Sequence, residues 1–409
     1  MKFTVLSIFI WLIFHVTGFS QTLEDYFVIA AENNPGLKGK YKAFEAALEK
    51  IPQAQSLNDP NLSFGYFISP VETRLGPQRM RFSLTQMFPW FGTLKMQGDV
   101  ATVLAEVKHQ EFLDARNSLY NEVSAIYFPL LEVLELIEIE KENLQILETY
   151  KSIATSTYEN GKGSMTDLLR VDINNTNAQT NLDVLYKKVH AANARLNALL
   201  GRTPDSPIDI GEKLKPPTGL HQFYFDAIRN NPLIESMDLK VQAAELNQRL
   251  ALKKGLPQLG IGIDYVAVGD RSDVIIEENG RNVIMPTMTM SLPLFRKKHK
   301  AAEREALLLS ESYQAEKENV SNILQGSFHR FKAEMEIQLD LIDSYDRQIK
   351  TSKQTLDLLY SAYANSGDNF EEVLRLQQQL LEYQKMKVKA SVAYYVAEAQ
   401  INYLTAKSY

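Results

Sequence analysis

The 409-residue chain carries one long segment twice over, and this duplication restricts the folds open to it. The stretch TYENGKGSMTDLLR (Thr157 to Arg170) has a counterpart in AYANSGDNFEEVLR (Ala362 to Arg375). Tyr158 aligns with Tyr363, Asn160 with Asn365, Leu169 with Leu374 and Arg170 with Arg375, all at one offset (363 − 158 = 205). ENNPGL (Glu32 to Leu37) matches RNNPLI (Arg229 to Ile234) at 232 − 35 = 197, an offset that Pro60 and Pro257 keep. MFPWF (Met87 to Phe91) matches SLPLF (Ser291 to Phe295) at 293 − 89 = 204, so the second copy holds a seven-residue insertion between these anchors. Copies this long are not solenoid units, whose period is about 20–50 residues.

The Pro- and Gly-rich stretch 201–219 reads as the linker between a first repeat, 21–200, and a second, 220–409. Residues 1–20 read as a secretory signal peptide. Lys2 precedes an apolar run from Phe3 to Phe14, with small residues Gly18 and Ser20 before the expected cut. Beyond it no apolar run approaches the ~20 residues of a membrane-spanning helix. The net charge of −6 argues against nucleic acid as a partner, and the absence of cysteine excludes disulfides, thiolate metal sites and a Cys nucleophile.

Within each repeat the order is the same: a helical segment (about Thr22 to Ala54, and Gln222 to Lys254), two short β-like runs, a very long helix, a glycine break and a final helix. Leu119, Val123, Ile126, Leu130, Val133 and Ile137 step by four and three, the seam of a coiled coil, interrupted by Glu140 and Lys151. A helix from Thr93 to Tyr158 is expected, with a kink at Pro129. Gly161 and Gly163 allow the chain to reverse, with Ser164 or Thr166 capping the returning helix. The hairpin tips are thus expected at about 160–164 and 365–369. A plain turn with no further role explains these breaks equally well on periodicity alone.

The β-like runs are expected at about 60–69, 78–88, 257–267 and 283–293. Leu62, Phe64, Tyr66 and Ile68 share one strand face, as do Met80, Phe82 and Leu84, with Arg79, Arg81, Ser83 and Thr85 opposite. In the second copy Leu259, Ile261, Ile263 and Tyr265 oppose Gly260, Gly262 and Asp264, and Ile284, Met288, Met290 and Leu292 form a further apolar row. Alternation over about 9–11 residues suits a tilted transmembrane strand with apolar residues toward lipid and polar ones toward a lumen, here Arg79, Arg81 and Asp264. It also suits a half-buried sheet in a soluble domain. Four strands cannot close a barrel, and lipid does not tolerate an open edge. Eight strands from two chains leave no channel, whereas twelve from three chains leave room for water, so a homotrimer is preferred. The segments Ser69 to Gln78 and Val268 to Arg281 are expected as loops on the far side.

These features together resemble the TolC-type outer-membrane efflux proteins. The resemblance rests on the Asn-Pro helix starts (Asn34-Pro35, Asn231-Pro232), the Phe88-to-Gly92 strand exit, the YENGKGSMTDLLR tip and the LNALLGR ending (Leu196 to Arg202). It implies a mainly α fold with a small β part: long helical hairpins in an α-barrel, joined to a transmembrane β-barrel of four strands per chain and twelve per trimer. It further implies a passive exit duct for efflux or type I secretion, served by a periplasmic adaptor and an inner-membrane RND-type or ABC transporter. Adaptor docking falls to the tips, at Tyr158, Asn160, Gly161, Gly163, Ser164, Tyr363, Asn365, Ser366 and Gly367. A pore constriction falls to Asp167, Glu372 and Arg375. Arg375 stands where a second acidic ring is common in the family, so an inter-helix Glu372–Arg375 contact is an alternative there.

Other chemistry has little support. GKGS (Gly161 to Ser164) lacks the upstream glycine and the preceding strand of a phosphate loop. His109, His190, His221, His299 and His329 show no metal-ligand spacing. Met288 and Met290 of the trio with Met285 lie on the apolar face, where packing explains them better than a soft metal. Arg296 to Lys300 (RKKHK) reads as a solvated charge run near the base of the strands. Neither an enzyme nor a cofactor is expected. The main rival to a channel is a periplasmic coiled-coil scaffold or adaptor without a pore.

Overall fold

A computed structural model describes residues 21–219, 225–273, 275–366 and 369–407. The signal-peptide reading of 1–20 and the docking role of Gly367 lie outside the described residues.

Repeat one comprises α1 (Leu23–Asn33), α2 (Pro35–Leu48), α3 (Lys50–Gln55), strands β1 (Asn61–Thr73) and β2 (Gly76–Phe88), and helices α4 (Thr93–Glu159) and α5 (Met165–Leu199). Repeat two comprises a 3₁₀ turn (Phe225–Asn230), α6 (Pro232–Lys254), β3 (Gln258–Val268), β4 (Val283–Ser291), α7 (Arg296–Ser366) and α8 (Phe370–Leu404). The segment expected as one helix from Thr22 is three, because Asn34 and Pro35 end one and start the next. Asn34 takes an extended conformation and its side chain accepts from the Leu37 amide, while Pro35 stands where no amide donor is needed. In the second copy the helix proper begins only at Pro232, capped likewise by Asn231.

The duplicated Asn-Pro pairs do more than start helices. Asn34 Nδ2 donates to Leu199 O (2.9 Å), and Asn231 Nδ2 donates to Leu404 O (3.0 Å). Each thereby ties the start of its repeat to the last turn of the same repeat, satisfying a carbonyl that the helix end leaves free. One apolar core forms around each tie. Tyr26, Phe27, Val123, Tyr127, Leu130 and Leu196 pack in the first, and Ile234, Phe328, Met335, Tyr394 and Ile401 in the second.

Helix α4 has 67 residues and α7 has 71, about 100 Å and 107 Å at ~1.5 Å per residue. Helix α4 runs on through Pro129, so the expected kink does not end it. Among the described residues no helix is long and apolar enough to cross a membrane, which bears on helices alone.

The four strands form one antiparallel sheet in the order β1-β2-β3-β4. Strands β2 and β3 join the repeats, pairing Ser83 with Asp264 and Leu84 with Ile263. The stretch Ser69 to Gln78, expected as a loop, is mostly strand: Val71 pairs with Gln78, Glu72 with Pro77 and Thr73 with Gly76. Proline cannot donate to a ladder, and this stretch holds Pro70 and Pro77. Pro70 instead falls in the register shift between Tyr66 and Val71 of edge strand β1, where no donor is required.

Candidate functional site

The sheet has two chemically different faces, and its register stacks like on like. Leu62, Leu84, Ile263 and Pro286 form one row across all four strands, and Phe64, Phe82, Tyr265 and Ile284 form the next. Nothing among the described residues covers these rows. Leu62 is 71% exposed, Phe64 60%, Ile284 65% and Met288 77%. Adjacent aromatic rings make contact along the row, with Phe64 and Phe82 centroids 5.1 Å apart. A sheet half-buried in a water-soluble domain would show the reverse, with the apolar face inside. A contiguous uncovered apolar face of this kind marks a surface made for lipid or a partner.

The opposite face is small and polar. It carries Ser63, Ser83 and Asp264 in one row, and Gly262 between Thr85 and Thr287 in the next. Asp264, expected as a lumen residue, is 2% exposed and forms an ion pair with Arg81 of the neighbouring strand, also expected there. Arg79, the third such residue, falls at the register shift between Gln78 and Met80, and its side chain lies against Gly269.

At the far end of the helices, the first tip is built by backbone hydrogen bonds. Gly161 N donates to Tyr158 O (2.9 Å) and Lys162 N to Thr157 O (3.0 Å), the paired closure that ends helices in a left-handed residue. Gly161 supplies that residue with φ 71°. A Cβ on Gly163 would stand 3.1 Å from Tyr158 N, so the return path is also tight there. Ser164 caps α5, and the Asp167 carboxylate accepts from the Ser164 amide in a reciprocal box. Asp167, expected at a pore constriction, is therefore engaged in starting the helix. Asn160 folds back, its Nδ2 donating to Ser156 O (2.7 Å).

Of the tip residues, Tyr158 is exposed and open to a partner, whereas Tyr363 is 2% exposed. Tyr363 stacks on Phe370 (4.6 Å between centroids) inside an apolar cluster with Tyr150, Val171 and Val373. Burial pushes the pKa of its hydroxyl upward, an effect that Thr157 beside it partly offsets. Tyr363 thus joins the two hairpins and offers no docking surface. Asn365 and Ser366 belong to the last turn of α7. The expected inter-helix contact between Glu372 and Arg375 is instead within α8: the two side chains are three residues apart and pair on the same helix face.

The inter-helix contacts fall on other residues. Arg170 of α5 pairs with Glu371 of α8 (2.6 Å), and Gln378 Nε2 donates to Asn174 Oδ1 (2.7 Å). Further up, Glu140 of α4 is 1% exposed; it accepts from Asn181 Nδ2 (3.0 Å) and pairs with Lys385 of α8 (3.3 Å). Lys151 of α4 pairs with Asp172 of α5 (2.7 Å). The signal for both was present in the sequence, because Glu140 and Lys151 are the residues that break the heptad stripe. Among the described residues no group of three or more His, Cys, Asp or Glu could hold a metal ion.

Residues 28–202, nearly the whole first repeat, match the family model described as Outer membrane efflux protein. Across 94% of the chain the fold is similar to that of the outer-membrane channel OprN, at 16% identity and a TM-score of 0.76, covering 90% of that chain. It is likewise similar to the outer membrane protein VceC of Vibrio cholerae, at 15% identity and a TM-score of 0.74, covering 94% of this chain and 95% of that one. The open state of the MtrE outer membrane channel of Neisseria gonorrhoeae gives 16% identity and a TM-score of 0.72, covering 94% and 88%. Comparison with curated proteins gives no match. The fold is the one shared by these outer-membrane channels. The family match over residues 28–202 and the shared fold agree with the resemblance read from the tip and Asn-Pro motifs.

Proposed function

We propose that three copies of this chain close a twelve-stranded barrel and that the assembly is the passive outer-membrane duct of a tripartite efflux or type I secretion system. The observation that carries this reading is the uncovered apolar face backed by a polar one. Strands β1 and β4 are the free edges of the sheet, so β4 of one chain pairs with β1 of the next. Repetition around a three-fold axis removes every edge, as lipid requires. The same reading makes 1–20 a leader, 21–200 and 220–409 the two repeats, and 201–219 the linker between them.

In the assembled duct Arg79, Arg81 and Asp264 line the lumen, and Tyr158 with the backbone of the tips forms the adaptor-facing end. Glu372, Arg375 and the Arg170–Glu371 pair crowd the periplasmic mouth, with an inner-membrane RND-type or ABC transporter supplying the energy. A pore-free periplasmic scaffold would leave two rows of Leu, Phe and Ile in water. The test is purification of the full chain in detergent, followed by mass measurement and planar-bilayer recording. A heat-sensitive trimer with stepwise conductance is expected. A monomer that stays soluble without detergent would overturn the proposal.

A further inference from the structure

We infer that the helix-side rim of the sheet is a binding surface for anionic phospholipid headgroups, an inference that rests on the membrane reading above. Three chain segments converge there: Phe88 to Gly92 leaving β2, the end of α6, and Leu292 to Lys300 leading from β4 into α7. Lys253 Nζ donates to Phe91 O (3.1 Å), and His299 lies against Gly255. Trp90, Lys254 and Lys298 line one cavity of about 960 Å³ at this junction.

The charge at this rim opposes that of the chain as a whole. The three segments and the residues just beyond them hold Lys95, Lys253, Lys254, Arg296, Lys297, Lys298 and Lys300 against Asp99, Glu303 and Glu305, the last of which lines the same cavity, so basic groups outnumber acidic ones in a chain of net charge −6. Arg296, Lys297, Lys298 and Lys300 are exposed, and among the described residues none of the four is in an ion pair. Three of them occupy the first turn of α7, which holds no acidic residue, and basic side chains there oppose the helix dipole. Helix stability therefore does not account for the cluster.

Exposed apolar side chains set the kind of anion. Leu294 and Phe295 directly precede the basic run, and Phe91 is held by Lys253; the three are 77%, 86% and 77% exposed. A soluble anion needs no such neighbours. A lipid needs both, since its acyl chains meet the apolar rows while its phosphate meets the cations at the boundary. The two adjoining surfaces are complementary to one amphiphile carrying net negative charge.

The test uses the full-length protein, delipidated in neutral detergent and offered phosphatidylglycerol and phosphatidylethanolamine of identical acyl chains, with native mass spectrometry as readout. Retention of phosphatidylglycerol at least about tenfold above phosphatidylethanolamine is expected, given several basic side chains at an anionic surface. The combined variant Arg296→Gln, Lys297→Gln, Lys298→Gln and Lys300→Gln should equalise the two lipids. The variant Phe91→Ser with Phe295→Ser should weaken both alike. Equal retention by the unaltered protein, an undiminished preference in the charge variant, or displacement of the lipid by inorganic phosphate would overturn the inference. Planar-bilayer conductance of the same preparations separates the two readings: a conducting protein without lipid preference sinks only this one.

Discussion

Parity along β2 makes a sharp prediction, because in the proposed barrel neighbouring residues face opposite media. Leu84 lies in the row with Leu62 and Ile263, whereas Ser83 lies in the row with Ser63 and Asp264. Leu84 is four residues from the end of β2 at Phe88 (88 − 84 = 4). That is about 14 Å along the strand at ~3.4 Å per residue, and about 10 Å along the membrane normal at a ~40° tilt. In an apolar band ~25 Å tall this is close to the midplane, where an arginine on the lipid face costs about 2–4 kcal/mol. In the proposed trimer three chains carry the substitution, so Leu84→Arg should destabilise the assembly by roughly 6–12 kcal/mol. Ser83→Arg adds a cation on the proposed lumen face, in the row of Asp264, and should change stability far less. Urea unfolding of both variants in phospholipid vesicles, followed by the heat-dependent mobility of the trimer, measures the difference. Equal effects, or the opposite order, would refute the assignment of the faces.

Three further outcomes are expected in the helical part. Gly161→Ala places a Cβ at φ 71° and should cost about 1–2 kcal/mol at the tip, seen as increased amide exchange confined to the hairpin ends. Glu140→Ala leaves Lys385 only Glu382 of its own helix (3.6 Å) and should destabilise by about 1.5–3 kcal/mol, whereas Glu140→Leu with Lys385→Met should recover most of it. A double variant as unstable as the single one would contradict the pairing. Asp114, on α4, is held above the usual carboxylate pKa by burial, with the Tyr403 hydroxyl donating to it (2.9 Å) and offsetting part of that. Its ionisation therefore opposes folding: stability should rise as pH falls through its folded-state pKa toward the ordinary carboxylate value, and Asp114→Asn should raise stability at pH 7 and flatten that limb.

The sequence disclosed the parts of the fold that depend on period and repetition. Apolar residues two apart marked the strands, the four-three stepping marked α4, and the equal offsets marked two copies. It disclosed less where a residue has two uses. Ser69 to Gln78 reads as a loop, yet Pro70 sits at the register shift of edge strand β1 and Pro77 is paired with Glu72 in β2. Tyr363 shares its offset with Tyr158, yet one is buried and the other exposed. The two repeats are similar in sequence but not in surroundings, since Tyr363 packs on Phe370 in the cluster between the hairpins. The ion pairs between hairpins, Arg170–Glu371 and Glu140–Lys385, depend on how α8 lies against α4 and α5. No local pattern carries that information, although the heptad breaks at Glu140 and Lys151 flagged two of the positions.

The most direct measurement exploits the lack of native cysteine. Single cysteines placed in turn at positions 82 to 85 and 261 to 264 can each carry a spin label in the reconstituted full-length protein. Labels at 82, 84, 261 and 263 should collide freely with oxygen dissolved in lipid, and those at 83, 85, 262 and 264 with a water-soluble nickel complex. Labels on the apolar rows that are immobile and shielded from both reagents would place those rows in a packed interior and contradict the channel.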